Sequence, residues 1–290
     1  MLLVTVVIWA FNFTVTKYVL TQGFEPLAYS TIRYAGAALI FPLLTVGLER
    51  SLAVRRSDLP LLVLAAALGI WLNQVSFVYA LTFTTASTAA LVMGTLPIFT
   101  ALIAWSVRLE RLSARTLVAG AISFGGVALV AAGSGSGLSG DLRGIMLTLA
   151  TAVTWAAYSV LITPLMERYS PFRISSFVLL VGLVPLFASG LKQVIEQDYS
   201  LAPLVWVCLA FAILGPLVLT NVLWFTAISR VGPSRATLVT NLQPFLAALF
   251  ALALLSEEIT ALQVAGGAAI GCGILLARRR RAPAARPLRS

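Results

Sequence analysis

The chain has 290 residues, of which 60% are hydrophobic and only 10% are charged. A soluble domain carries about 25% charged residues, so this composition excludes an ordinary soluble enzyme and indicates that much of the apolar surface faces lipid. The sequence has no histidine and only two cysteines, Cys208 and Cys272. Their scarcity excludes histidine-based acid–base catalysis, His/Cys zinc sites and a disulfide scaffold. We therefore expect a non-enzymatic membrane protein without a metal or cofactor.

Ten apolar segments follow one another along the chain, and each is long enough to cross a bilayer as a helix. They are continuous runs, unlike the alternating strips of about ten residues that form membrane barrels, so we predict an all-α fold. Met1 precedes the first run without a cationic lead, which favours a membrane helix over a secretory signal. The predicted spans are 2–20, 27–47, 59–81, 85–107, 115–132, 143–164, 173–190, 203–227, 234–255 and 260–277.

These spans divide into two groups of five around a Gly/Ser-rich stretch. The first group covers residues 1–132 and the second covers residues 143–277. Residues 133–142 are the predicted linker, and residues 278–290 form a basic tail. The remaining positions suffice only for short loops, so we expect no soluble domain.

Positive charge is distributed unevenly between the two sides that the spans define. Of the 20 Lys and Arg residues, 16 fall on the side that carries both termini, and only Lys17, Arg143 and Lys192 fall on the other. Cytoplasmic loops are enriched in cations, so we predict two cytoplasmic termini. The net charge of +10 then reports topology rather than a nucleic-acid partner. For the cluster Arg278–Arg281 a stop-transfer anchor is favoured over a site for anionic lipid.

Residues of the same type recur in the two halves of the chain at a spacing of 146 or 147 positions. Trp9 aligns with Trp155 at the shorter spacing. Because five spans are an odd number, the second half enters the membrane from the opposite side. Such inverted repeats are typical of secondary transporters, which bind substrate near the bilayer midplane between the repeats. The further matched pairs are Ser87 and Ser234, Pro97 and Pro244, Glu110 and Glu257, Gly120 and Gly267, and Gly126 and Gly273.

A mid-helix proline, a terminal glutamate and a following glycine-rich helix occur in both halves. This arrangement resembles the drug/metabolite transporter superfamily in its EamA-type branch, and the resemblance covers nearly the whole chain. It implies a ten-helix exporter of small metabolites, such as amino acids, in the bacterial inner membrane. Aromatic residues in the predicted cavity favour the aromatic amino acid exporters among such relatives.

Amide and aromatic side chains within the spans are the candidate substrate contacts. Amides pair with both the ammonium and the carboxylate of a zwitterion, and aromatic rings stack on planar groups. The same residue types also bridge and pack membrane helices, which is the alternative for each of them. We predict substrate binding by Trp9, Asn12, Tyr79, Tyr158, Asn221, Trp224 and Asn241.

Three further residues within the spans are candidates for function. Pro97 and Pro244 lack an N–H and interrupt their helices, so we predict paired hinges, with static packing kinks as the alternative. Arg33 is the only charge well inside a span. We predict either that Arg33 attracts a substrate carboxylate, or that it is paired with another group or extends toward the membrane interface.

The carboxylates that the predicted spans lack limit the ways in which transport can be driven. All ten carboxylates lie in predicted loops or at helix ends, so an embedded proton relay lacks its usual residues. No GxxxxGK[ST] loop is present for ATP hydrolysis. We predict a facilitator or exchanger that works by alternating access on the substrate gradient, with proton coupling through Glu257 or Glu110 as the alternative.

Other classes stay open from the sequence alone: an exporter of other metabolites or drugs, a channel-like pore and a membrane enzyme. Scattered amides rather than a continuous polar stripe speak against a channel. The small residues on the fifth and tenth spans are expected to pack within one bundle. The prediction is therefore a monomer whose partners are its small-molecule substrate and membrane lipids.

Overall fold

The structure is a computed structural model that describes residues 1–109, 114–133, 138–231 and 242–277. These residues form helices and connecting turns, and no strand occurs among them. The helices are α1 Leu2–Thr21, α2 Pro26–Glu49, α3 Arg56–Phe83, α4 Ala86–Ser106, α5 Ala114–Gly133, α6 Leu138–Ile162, α7 Pro171–Glu196, α8 (Pro203–Ile213, Leu214–Leu219 and Thr220–Val231), α9 Gln243–Leu255 and α10 Ala261–Ala277.

Eight helices of the described chain, α1 to α8, are long and apolar enough to cross a membrane. The predicted tenth span coincides with the shorter apolar helix Ala261–Leu276. The predicted ninth span overlaps the shorter apolar helix Gln243–Leu255, and its residues 234–241 lie outside the described residues. The all-α class is thus confirmed for the described residues, whereas the count of ten spans and the cytoplasmic termini remain predictions.

Prolines and hydroxyl side chains stand at the starts of several of these helices. Pro26, Pro171 and Pro203 each occupy the first turn, where a missing N–H costs nothing. The Ser170 hydroxyl accepts a hydrogen bond from the Arg173 N–H and caps α7. Helix α5 includes residue 133 and α6 begins at residue 138, so both helices extend into the stretch 133–142, whose role as a linker remains a prediction. Residues 134–137 and 278–290 lie outside the described residues.

Two helices contain a π-helical turn at equivalent positions of the two halves. The turn Ala67–Leu72 lies in α3 and the turn Leu214–Leu219 lies in α8, 147 residues further along the chain. Each holds a glycine that a helix of the opposite half approaches closely. A Cβ on Gly69 would lie 2.5 Å from the Tyr158 ring of α6, and one on Gly215 would lie 3.3 Å from Ile8 of α1.

Helix packing follows the repeat as well. Helix α2 packs on α7, α4 on α9 and α5 on α10, so three helices of the first half contact their counterparts in the second. Helix α3 packs on α6 and α1 packs on α8, two pairs that the repeat exchanges with each other. In the α5–α10 pair the backbones nearly touch, since a Cβ on Gly126 would lie 2.6 Å from the Gly266 carbonyl oxygen.

Helix α4 is broken in its middle. Its first segment ends at Met93, a turn follows at Gly94 and Thr95, and Pro97 is the second residue of the segment that continues to Ser106. Pro244 is likewise the second residue of α9. Both prolines therefore stand at the first turn of a helical segment, where proline is tolerated, rather than within an uninterrupted helix.

Candidate functional site

Trp9 of α1 and Trp224 of α8 form an aromatic pair between the two halves of the chain. Their ring centroids lie 5.4 Å apart with an interplanar angle of 53°. The Trp9 Nε1–H donates to the carbonyl oxygen of Pro216, 3.4 Å away, within the π-helical turn of α8. Both rings are only partly buried. The structure thus brings together two predicted binding residues that are far apart in the sequence.

Asn221 lies close to this pair, but its amide is turned toward its own helix. Its Nδ2 donates to the Leu217 carbonyl oxygen at 2.5 Å. The neighbouring Thr220 hydroxyl donates to the Pro216 carbonyl oxygen at 2.6 Å. A π-helical turn disturbs the regular backbone ladder, and these two side chains bond carbonyls of that turn. The contacts show Asn221 supporting the π-helical turn; its predicted substrate contact remains untested.

Asn12 is buried on α1, three residues beyond Trp9, with 7% of its surface exposed. Its Oδ1 has no hydrogen-bond partner among the described residues. A buried acceptor without a partner costs about 1–3 kcal/mol, and such a group needs a reason to be retained. Asn12 is therefore the predicted residue whose surroundings most favour contact with a bound molecule.

Both predicted hinge prolines line one small cavity of about 80 Å³. Phe13 of α1, Gly94 at the break of α4 and Gln243 of α9 contribute to its wall. Ligand pockets usually measure about 300–1,000 Å³, so the cavity is too small for a substrate in this conformation. The role of the segments that contain these prolines, Leu96–Ser106 and Gln243–Leu255, as hinges therefore stays a prediction.

The two predicted tyrosines have other partners. The Tyr79 hydroxyl accepts a hydrogen bond from Gln193 Nε2 of α7 at 3.0 Å. The Tyr158 ring lies 5.3 Å from the Trp155 ring and fills the space above Gly69. The Tyr79 hydroxyl is thus bonded to α7, and the Tyr158 ring has close contacts with α3 and within α6. Asn241 lies outside the described residues.

A buried polar network joins α3 to α6. Asn73 Nδ2 donates to the Thr151 carbonyl oxygen at 3.0 Å and to the Thr154 hydroxyl at 3.2 Å. Gln74 Nε2 donates to Asn73 Oδ1 at 3.1 Å, and the Thr151 hydroxyl donates to the Ser76 hydroxyl at 3.0 Å. The sequence indicates the buried amides but not their partners on α6, which are the Thr151 carbonyl and the Thr154 hydroxyl.

At the reversal between α3 and α4, a cationic side chain binds the C-terminal end of α3 and an anionic side chain binds the N-terminal end of α4. Lys17 Nζ donates to the carbonyl oxygens of Leu81 and Thr84 at 2.6 and 2.9 Å. The Glu257 carboxylate accepts from the N–H groups of Ala86 and Ser87 at 2.8 and 2.9 Å. A cation at a helix C-terminus and an anion at an N-terminus are both favourable. These contacts join α1 and the α9–α10 connection to the α3–α4 reversal, on the side that we predict to be extracellular.

The opposite end is joined by a separate set of polar contacts. Arg168 Nη1 and the Tyr169 hydroxyl both donate to the buried Asp58 carboxylate, at 2.8 and 2.7 Å. The Tyr169 hydroxyl also accepts from the Arg55 N–H at 2.9 Å. This cluster connects the start of α3 to the α6–α7 loop on the predicted cytoplasmic side.

The model of the EamA-like transporter family matches residues 1–132 and 142–279. This chain belongs to the EamA-like transporter family. The resemblance seen in the sequence is thereby confirmed, and with the apolar helices it identifies a multi-pass membrane transporter rather than an enzyme.

Relatives of known name resemble the chain over almost its whole length. A protein of Streptantibioticus cattleyicolor named "Probable terminal-alkyne amino-acid exporter" is 28% identical and covers 96% of this chain and 92% of its own. A "Probable amino-acid metabolite efflux pump" of Salmonella typhimurium is also 28% identical, over 94% of this chain and 92% of its own. One crystal structure matches with a TM-score of 0.64 at 16% identity, covering 94% of this chain and 93% of that chain, and shows a shared fold. Together these relatives support transport of small metabolites.

Proposed function

We propose that this EamA-like transporter exports amino acids with aromatic side chains by alternating access between two inverted five-helix repeats. Export of amino-acid metabolites is supported by the names of relatives that cover the whole chain. The proposed repeat, residues 1–132 and 143–277 around a short linker, is supported by the two ranges that the family model matches. The equivalent π-helical turns of α3 and α8 agree with it.

The aromatic pair Trp9–Trp224 is the main observation that supports aromatic amino acids as the substrate class. It lies where helices of the two halves meet, and its Trp9 stands three residues before Asn12, whose Oδ1 has no hydrogen-bond partner among the described residues. Stacking favours planar side chains, and an amide oxygen accepts a hydrogen bond from an ammonium group. Tyr79, Tyr158, Asn221 and Asn241 stay in the proposal as residues that contact substrate in another conformation of the cycle.

Alternating access is proposed to use the prolines as hinges. Two features support this: Pro97 and Pro244 line the same small cavity, and Lys17 and Glu257 join helix ends on the predicted extracellular side. Because buried carboxylates are absent from the described span centres, the proposed cycle runs on the substrate gradient, as a facilitator or exchanger.

Reconstitution into proteoliposomes with a panel of labelled amino acids tests this function. We expect saturable uptake of phenylalanine, tyrosine and tryptophan, with leucine and alanine moved less effectively. Saturable uptake of leucine or alanine without aromatic uptake or competition would contradict the aromatic assignment. Absence of saturable uptake across the whole panel, with the protein correctly inserted, would contradict the function itself.

A further inference from the structure

Arg33 is a charged group buried inside a span without an anionic partner. It lies about two turns into α2 with 4% of its surface exposed, and its Nε and Nη1 have no hydrogen-bond partner among the described residues. The ion pairs found in the described chain use Arg168 and Arg173 instead. A guanidinium ion in a membrane helix requires compensation.

Two tyrosines compensate only part of this charge. The Arg33 Cζ lies 5.4 Å from the centre of the Tyr34 ring and 5.9 Å from that of the Tyr29 ring. Such contacts involve the face of the guanidinium, whereas its N–H groups lie in the plane and form a fork suited to a carboxylate. The in-plane donors Nε and Nη1, which can bind a carboxylate, are therefore left without a partner among the described residues.

The contact between α1 and α2 places Arg33 level with Asn12. The Thr16 and Tyr29 hydroxyls lie 3.3 Å apart, and the two helices run in opposite directions. One turn back along α1 leads from Thr16 to Asn12, and one turn forward along α2 leads from Tyr29 to Arg33. The unpartnered Asn12 Oδ1 and the unpartnered guanidinium thus occur at the same depth of neighbouring helices.

A second unpartnered acceptor lies within about one helical turn of this level. Gln74 of α3 is 4% exposed, and its Oε1 has no partner among the described residues. The Phe13 and Phe77 rings, 5.4 Å apart, set the register of α1 and α3. Asn12 precedes Phe13 by one residue and Gln74 precedes Phe77 by three, which at a rise of about 1.5 Å per residue is a small difference in depth.

We propose that Arg33 binds the carboxylate of the transported molecule, while the oxygens of Asn12 and Gln74 accept hydrogen bonds from its ammonium group. This inference rests on the proposed function and assigns the part of the substrate that all α-amino acids share. A carboxylate alone leaves both amide oxygens unpartnered, and an amine alone leaves the guanidinium unpartnered. A zwitterion satisfies both sets, and the side chain of the amino acid is then free to meet the Trp9–Trp224 pair.

Binding to the purified full-length protein tests the proposal with three related probes. These are L-phenylalanine, 3-phenylpropionate, which lacks the amine, and phenethylamine, which lacks the carboxylate. The Arg33→Met variant is expected to weaken binding of both carboxylates by about tenfold or more and to leave phenethylamine binding unchanged within about twofold. The Arg173→Met variant, which removes a partly exposed arginine from another site, should leave the order of the three probes unaltered.

Carboxylate binding by Arg33→Met at the wild-type level would overturn the proposal, as would failure of the wild-type protein to bind phenylpropionate or phenylalanine. Where Arg33→Met does not elute as a folded species, Arg33→Gln is judged by the same criteria. Loss of carboxylate binding in the variant, together with no amino acid transport by the wild type, supports the Arg33 site and contradicts the proposed function. Amino acid transport by the Arg33→Met variant with an unchanged KM supports the proposed function and contradicts the Arg33 site.

Discussion

Glu257 and Ser87 form a double contact between the two halves of the chain. The Glu257 Oε2 accepts from both the N–H and the hydroxyl of Ser87, at 2.9 and 2.6 Å. The other carboxylate oxygen accepts from the Ala86 N–H at 2.8 Å. The first N–H groups of a helix have no partner within it. The Thr85 hydroxyl accepts from the Thr88 N–H, and Glu257, between α9 and α10, binds the N–H groups of Ala86 and Ser87, so the two side chains together cap α4.

The Glu257→Gln variant is expected to destabilise the protein by about 1–2 kcal/mol, because one charged acceptor atom is replaced by an amide nitrogen that cannot accept. Thermal unfolding in detergent measures the effect. The neighbouring exposed Glu258 provides the control, and Glu258→Gln should change the unfolding temperature little. Equal effects of the two variants would contradict the assigned cap.

The α5–α10 contact predicts opposite outcomes at two adjacent glycines. Gly126→Ala places a methyl group 2.6 Å from the Gly266 carbonyl oxygen, and such overpacking costs about 1–3 kcal/mol. Gly125 has nothing within 4 Å of its Cβ position, so Gly125→Ala should change stability by less than about 0.5 kcal/mol or increase it. The midpoint of thermal unfolding distinguishes the two. A tolerated Gly126→Ala would show that these helices pack less closely.

The Asp58 cluster predicts an order of effects rather than a single value. Asp58→Asn is expected to cost about 1–3 kcal/mol, because the carboxylate is buried and accepts from both Arg168 and Tyr169. Arg168→Gln should cost less than about 1 kcal/mol, because the Arg168 side chain is 51% exposed and solvent screens its ion pair. Unfolding experiments on both variants check this order, and the reverse order would contradict it.

The aromatic pair predicts a graded effect on substrate affinity. Trp9→Ala removes the stacking surface and should raise the KM of a transported aromatic amino acid about tenfold, whereas Trp9→Phe should raise it about threefold. Trp105, 52% exposed on α4, is a suitable control, and Trp105→Ala should leave KM unaltered. If Trp9→Ala kept the wild-type KM, the pair would not be part of the binding site.

The helices could be predicted from the sequence because long apolar runs determine where they lie, and prolines and glycines mark where they begin or end. The π-helical turns could not, since Ala67–Leu72 and Leu214–Leu219 read as ordinary apolar helix. The sequence therefore predicts Asn221 as a substrate contact but does not reveal that its amide bonds the Leu217 carbonyl of that turn. Tertiary contacts of this kind depend on which helices meet, and no local pattern records them.

The candidate site, like the fold, could be predicted from the sequence only in part. The repeat pointed to Trp9 and Trp224 because it places them on α1 and α8, and the structure brings their rings into contact. The cap formed by Glu257 was not predicted, because its partner Ser87 lies 170 residues away. Arg33 stood out as an intramembrane charge, but its unpartnered state depends on the neighbouring helices.

Counterflow in proteoliposomes tests alternating access most directly. Vesicles are loaded with unlabelled phenylalanine at high concentration, and labelled phenylalanine is supplied outside at a trace concentration. Because a carrier exchanges one bound molecule for another, we predict that the label transiently accumulates above its equilibrium level. A channel-like pore would let the label approach equilibrium without an overshoot, and that result would contradict the account.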